Sequence, residues 1–444
     1  MSVKVAKFGG SSLADAIQIK KMKEIILADP ERRYIVVSAP GKRFDSDNKV
    51  TDLLYLLRTN IEQNAPYEQI FQVIKDRFLD IERELEVDVN ISAEFDDLEK
   101  KLKEGASADY LASRGEYMNA KIIAAYIGYS FIDAADFLLF GDKGRFLAEE
   151  TNDVLKAALK LNEKAVIPGF YGTKPDGGIK TFSRGGSDIT GSIVARAAEA
   201  SVYENWTDVS GFLMADPRIV PGAKSIDTIS YKELRELSYM GASVLHENAI
   251  YPVRLSGIPI NIRNTNQPDD KGTMITSEEH LREDSIITGV AGSRDFTVIA
   301  IYKNMMATET GYFRRILSIL EENDVRLEHI PSGVDTVSIV LSNKYLKDKL
   351  GDILEDIDRK LRPDSVEVYE HIALIATVGY GMARRTGVAA KLFSSMAEAK
   401  VNIRMIDQGS SEMNIIIGVE NEDFETAIRA IYAAFVGDGK NERK

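Results

Sequence analysis

The sequence contains no cysteine. Disulfides, thiolate nucleophiles and cysteine-based zinc sites are therefore excluded. Histidine is scarce: His246, His280, His329 and His371 are the only four, with no close ligand pair and no H-E-x-x-H run, so no metal site is expected. No apolar run approaches the ~20 residues that span a bilayer. The opening MSVKVAKFGGSS lacks the apolar core of a signal peptide, so a cytoplasmic protein with no membrane partner is expected. Positive charge is in deficit, with 56 Lys and Arg against 69 Asp and Glu and a net charge of −13. Nucleic acid is thus a poor partner, because duplex affinity rests on neutralising phosphates. Several nucleotide signatures are missing as well. There is no G-x-x-x-x-G-K-[ST], no kinase H-R-D or D-F-G, and Gly379-Tyr380-Gly381 fails as a dinucleotide turn because Arg384 fills the last glycine position.

What is present reads as a soluble α/β protein. The 444 residues suffice for about three domains. VKVAKF at 3–8 predicts a strand, Gly9-Gly10-Ser11-Ser12 a turn, 13–28 a helix, and YIVVS at 34–38 a strand buried on both faces. Residues 50–127 predict a helical layer or lid. Further strands are expected at 130–133, 165–167, 201–205, 258–262 and 273–276, and helices at 146–161, 187–199 and 230–238.

The last third repeats itself. Residues 296–343 shifted by 76 fall on 372–419 without a gap, and Thr310-Gly311 and Gly333 land on Thr386-Gly387 and Gly409. Each copy predicts strand, turn, helix, strand, strand, helix, most of a split βαββαβ unit. The first copy closes with a strand at Val366–Tyr369. The second has no room for one, since its counterpart would fall at the NERK terminus. A strand at 286–291 is expected to complete it, so that the first unit (about 296–370) is inserted within the second (about 372–437). The resulting division is 1–282 and 283–444.

Four clusters carry chemistry. Lys7 and the glycines of KFGGSS form a strand-to-helix turn suited to polyphosphate, though a plain tight turn fits the same residues. In SRGGSD (183–188), Arg184 suits a carboxylate, whereas Ser187 or Asp188 could simply cap the helix. Thr207-Asp208 and Asp216-Pro217-Arg218 follow a strand, where open α/β sheets bind ligands. Glu116 and Thr51 each open a helix and have either a ligand or a purely helical reading. Two anion turns, a few cations and no activating His or Cys suit phosphoryl transfer to an acceptor that is already ionised, such as a carboxylate.

In their order and spacing, KFGGSS, RGGSD, Thr207-Asp208-Val209 and Asp216-Pro217-Arg218 resemble the motifs of the aspartokinases, and the repeat resembles their paired ACT domains. The resemblance implies an amino-acid kinase fold followed by two ferredoxin-like ACT domains. It implies transfer of the ATP γ-phosphoryl group, with Mg²⁺, to the β-carboxylate of L-aspartate, the first step toward lysine, threonine and methionine. Lys7 and Asp188 would be catalytic. Thr51, Glu116 and Arg184 would hold aspartate. Lys7, Gly9, Gly10, Ser11, Thr207, Asp208 and Arg218 would hold the nucleotide. Ser243 and Leu213 depart from residues common among relatives, and a monofunctional enzyme without a fused homoserine dehydrogenase is expected.

Regulation is expected at the first repeat, where Met305, Gly311, Tyr312, Phe313, Ser332, Asp335 and Ser338 would bind lysine, threonine or both. Ordinary turns fit these residues too. The second repeat, with Gln408-Gly409-Ser410 in place of the aspartate loop, would mediate a dimer or a dimer of dimers. The competing readings are a kinase for another acidic amino acid and a non-catalytic amino-acid sensor.

Overall fold

The computed structural model describes residues 2–183, 185–241, 245, 249–277 and 285–437. Arg184, Ser243, His246 and His280 lie outside them. The chain forms two compact units. The first takes the described residues of 1–212, 225–231 and 244–281, and the second those of 213–224, 232–243 and 282–444. The division is therefore not a single cut near 282, because two short segments from before that point cluster with the C-terminal region.

In chain order the first 276 residues form β1 (Lys4–Phe8), α1 (Ala16–Leu27), β2 (Arg32–Val37), α2 (Val50–Glu62), α3 (Glu68–Glu84), α4 (Ile91–Lys103), α5 (Ala108–Ile127), β3 (Ser130–Phe131), α6 (Ala148–Leu161), β4 (Ala165–Pro168), β5 (Tyr171–Thr173), β6 (Ile179–Thr181), α7 (Gly186–Ala197), β7 (Val202–Thr207), β8 (Thr228–Ser230), α8 (Tyr231–Tyr239), α9 (Tyr251–Leu255), β9 (Ile260–Asn264) and β10 (Thr273–Thr276). Among the described residues, eight strands make one sheet in the order β3-β4-β2-β1-β7-β9-β10-β8. Its ladders are parallel except β9–β10. Val5, Ala6 and Phe8 of β1 and Ile35, Val36 and Val37 of β2 have no exposed surface, as in a sheet covered on both faces.

The strand order reverses at β1, since the chain passes from β1 to β2 on one side and reaches β7 on the other. The carboxyl ends of such strands frame a binding crevice. The helical layer is held by apolar stripes. Phe71, Ile74, Phe78 and Ile81 of α3 recur at helical spacing and meet Phe95 and Leu98 of α4. Complete burial of Phe78 and Phe95 is worth about 1.5–3 kcal/mol each. Helix α5 starts with Ser107 accepting from the Tyr110 amide and stops at left-handed Gly128.

The second unit contains β11 (Gly289–Tyr302), α10 (Tyr312–Glu322), β12 (Thr336–Ser342), α11 (Asn343–Leu346), α12 (Leu350–Leu361), β13 (Ser365–Val378), α13 (Val388–Glu398), β14 (Met405–Asp407), β15 (Asn414–Glu420) and α14 (Phe424–Val436). Its sheet is antiparallel, in the order β12-β11-β13-β15-β14. A shift of 76 carries α10 onto α13 residue for residue, and both helices open on left-handed glycines, Gly311 and Gly387.

The two long strands each serve both repeats. Phe296–Tyr302 of β11 pairs with β12, while Gly289–Ser293 pairs with Val378–Leu374 of β13. The first repeat thus lies within the chain of the second. Each repeat has its own core, around Ile316, Ile339 and Ile357 in one and Leu392, Ile417 and Ile428 in the other. The first of the two strands expected after α10 shortens to single bridges of His329 to Val340 and Ser332 to Val337, because Pro331 between them has no N–H to continue the ladder. Segment 213–224 packs on the second repeat: the Val290 amide donates to the Met214 carbonyl (2.7 Å) and Arg429 to the Ile219 carbonyl (3.1 Å). Among the described residues, no helix is long and apolar enough to cross a membrane.

Candidate active site

The turn after β1 is built by its neighbours. Phe8 is in register with Val37 of β2 and Trp206 of β7, so the loops after all three strands leave from one edge. The Gly9 amide donates to the Trp206 carbonyl (2.9 Å), and the Gly41 amide to the Gly10 carbonyl (2.8 Å). A Cβ on Gly41 would sit 2.4 Å from the Gly10 carbonyl carbon, so only glycine permits this approach. The Gly9 amide being engaged, Gly10 and Ser11 supply the backbone donors that open the 3-10 turn Gly10–Leu13. Trp206, nearly inaccessible, stacks on Phe8, and its indole N–H donates to Glu204 (2.9 Å).

Lys7 is buried, with its Nζ 2.5 Å from Asp188 Oδ1 and 3.5 Å from Asn205 Oδ1. The Asn205 amide donates to the same Asp188 oxygen (2.9 Å), and the Tyr203 hydroxyl donates to the Asp188 carbonyl (3.0 Å). Asp188 lies in the first turn of α7. The capping alternative is not what the helix uses. Its N-cap is left-handed Gly185 with no side-chain cap bond, and the Asp188 carboxylate is turned to Lys7 and Asn205 instead. Sequence reasoning missed Asn205, although a signal existed: Lys7 and Asn205 are direct partners across the β1–β7 ladder.

Glu116 is buried in α5, and its Oε2 has no hydrogen-bond partner among the described residues. Burial pushes the carboxyl up to about 8, and a backbone N–H from Ala39 only partly offsets the effect. Gly115 permits this placement, since a Cβ there would lie 2.8 Å from the Ala39 Cβ. Arg114 is held beside it among the rings of Tyr117 (4.3 Å), Tyr110 (4.6 Å) and Tyr171 (5.4 Å). Thr51 is half-buried in the first turn of α2, whose Val50 amide donates to the Pro40 carbonyl (3.1 Å). Both groups thus lean on the loop after β2, and that loop holds Gly10.

Thr207 ends β7, and its hydroxyl donates to Asp208, which is exposed (3.2 Å). Arg218 belongs to the second unit, paired with Asp216 (2.6 Å) and otherwise in solvent; Leu213 belongs to that unit also. Among the described residues, no group of three or more His, Asp or Glu is placed to hold a metal ion.

In the first repeat, the two expected inhibitor loops touch. The Lys303 amide donates to the Asp335 carbonyl (2.9 Å) and the Ala307 amide to the Val334 carbonyl (3.1 Å). Met305, Phe313, Ser332 and Asp335 are exposed and Ser338 half-buried. Tyr312 is buried, and its hydroxyl has no partner among the described residues.

A mainly parallel sheet with a glycine turn, a buried lysine and a helix N-terminus at its carboxyl edge defines the class. Residues 2–264 match the amino acid kinase family, and residues 375–435 match an ACT domain. Aspartokinase 3 of Bacillus subtilis is 37% identical over 98% of both chains. The crystal structure of Clostridium acetobutylicum aspartate kinase is 52% identical, with a TM-score of 0.92 over 98% of this chain and 100% of that one. Escherichia coli aspartokinase III in complex with aspartate and ADP (R-state) is 26% identical, with a TM-score of 0.74 over 97% and 99%. The same enzyme in complex with lysine and aspartate (T-state) is 25% identical, with a TM-score of 0.74 over 98% and 99%. The chain belongs to the aspartokinases, within the amino acid kinase family. Its activity is that of an aspartate kinase, a phosphotransferase with a carboxylate acceptor.

Proposed function

We propose that phosphoryl transfer from ATP to L-aspartate takes place at the carboxyl edge of β1, with Lys7 as its central cation. The observation that carries this reading is the buried Lys7–Asp188–Asn205 cluster beside the Gly10–Ser11 turn. A β-carboxylate oxygen of aspartate attacks the γ-phosphorus, and the bond to the β–γ bridging oxygen breaks with its electron pair leaving on ADP. No proton moves, so no general base is needed. Lys7 neutralises charge on the transferring group, and the Gly10 and Ser11 amides hold phosphate oxygens. Asp188 holds the Lys7 ammonium in place. Glu116 receives the substrate ammonium on its unpartnered oxygen, Arg184 takes the α-carboxylate, and Thr51 lines the pocket. Thr207 and Asp208 are assigned to the nucleotide.

Mg²⁺ fits these residues. It would be held on the substrate phosphates, with Asp188 and Asp208 the residues whose carboxylates would add oxygens. Bound there, it supplies charge neutralisation on the phosphates.

Lysine is the inhibitor we assign to the touching loops of the first repeat, its ammonium to Asp335 and its carboxylate to the α10 N-terminus; threonine is the second candidate. The second repeat is assigned to self-association, giving a dimer or a dimer of dimers. Turnover by the full chain with MgATP, followed by coupled ADP release, tests the central reading. Aspartate should be used well above glutamate. No turnover with aspartate, or a preference for glutamate, overturns it.

A further inference from the structure

Arg77 lies far from β1 in sequence and carries no known motif, yet its side chain is almost wholly buried. It projects from α3, beside Ile74 and Phe78 of the apolar stripe. A guanidinium there requires strong partners. It has one carboxylate, Asp47 (3.4 Å), and three backbone carbonyls. Its Nη1 donates to Asn48 (2.9 Å), and its Nη2 to Ala14 (3.2 Å) and Gly41. Asp47 is itself fixed by the Arg43 amide (3.0 Å) and Arg43 Nε (2.8 Å).

These three carbonyls belong to different parts of the site. Ala14 closes the 3-10 turn that begins at Gly10. Gly41 donates its amide to Gly10. Asn48 stands two residues before Val50, where α2 and Thr51 begin. One planar fork thus ties the phosphate turn, the loop after β2 and the aspartate-side helix together. A lysine presents a single compact ammonium and would not match three divergent acceptors.

We propose that Arg77 is a positioning residue for the reaction, holding the Gly10 turn and the start of α2 at a fixed separation so that the two substrates meet in line. The inference rests on the roles proposed for Gly10 and Thr51. Effects of this kind fall on turnover, because small misplacements of the reacting groups are costly.

The test uses the full chain with Arg77→Lys and Asp47→Asn. Arg77→Lys should lower kcat about 10–100-fold while KM for ATP and aspartate changes less than about fivefold. Amides of Gly9 and Gly41, which donate to the Trp206 and Gly10 carbonyls, should exchange hydrogen faster, while those of the α5 core stay protected. Should Arg77→Lys not fold, Asp47→Asn decides: it leaves the guanidinium in place but loosens it, and should lower kcat severalfold. A folded Arg77→Lys with kcat within twofold of the parent overturns the inference, as does an unchanged Asp47→Asn where Arg77→Lys is unfolded. A parent chain that does not phosphorylate aspartate would instead overturn the functional reading beneath it.

Discussion

Lys7 Nζ lies 2.5 Å from Asp188 Oδ1, on the shared edge of β1 and α7, with Asn205 touching both. The ammonium is therefore fixed beside the Gly10–Ser11 turn, where the proposed function puts the transferring phosphoryl group. Replacing a preorganised stabiliser of developing charge costs about 10²–10³ in turnover. Lys7→Ala should lose that much kcat in the coupled ADP assay, run below a melting temperature that falls because Asp188 loses its largely buried partner. A loss of less than tenfold would remove Lys7 from the chemistry.

Glu116 makes binding depend on pH. In the empty protein its carboxyl stays neutral until about 8, whereas a bound ammonium favours the ionised form. Aspartate binding should then release a proton, and KM for aspartate should fall as pH rises from 6 to 8 and level off above. Glu116→Gln should raise KM and abolish that slope.

Folding stability carries the opposite sign. The folded-state carboxyl lies above its ordinary value near 4.5. Its contribution is fully present below that value and lost as pH rises through about 8. Relative to the parent, Glu116→Gln should therefore be more stable at pH 8.5 than at pH 4.5. Urea midpoints at the two pH values measure this.

Asp335 offers an exposed carboxylate on a loop that is backbone-bonded to Lys303. Asp335→Ala should raise the lysine concentration for half-inhibition at least tenfold, with kcat within twofold of the parent. Inhibition curves that superimpose would move the lysine site elsewhere.

The Arg32–Glu204 pair is buried, with Arg32 Nε 2.7 Å from Glu204 Oε2. Breaking such a pair leaves an uncompensated charge inside and costs about 3–5 kcal/mol. Glu204→Ala also strips the acceptor from the Trp206 indole N–H. Its urea midpoint should fall accordingly, while Arg33→Ala, at a largely exposed pair, should shift it little.

Much of this architecture could be read from residues alone. YIVVS gave β2 because a strand covered on both faces has no polar alternation to hide it. The 76-residue offset matched helices α10 and α13 because glycines with positive φ open both. The β5–β6 hairpin escaped notice: each strand is three residues long, and Gly172 and Pro175 weaken the β signal. Asp216-Pro217-Arg218 reads as a polar turn after a strand, and what the motif alone does not reveal is that Met214, Ala215 and Ile219 around it bury against the second repeat. Arg77 and Asn205 were passed over because each acts through partners far away in sequence. A buried arginine beside the Ile74–Phe78 stripe was the available clue.

The chain has a single tryptophan, and its carbonyl accepts from Gly9 in the phosphate turn. Its ring is shielded from water against Phe8 and bonded to Glu204. One intrinsic fluorophore is thus buried directly behind the Gly9–Gly10 turn. Emission from this protein comes with no background from other indoles, so a rearrangement of that turn that reaches the ring can be followed optically without attaching a dye.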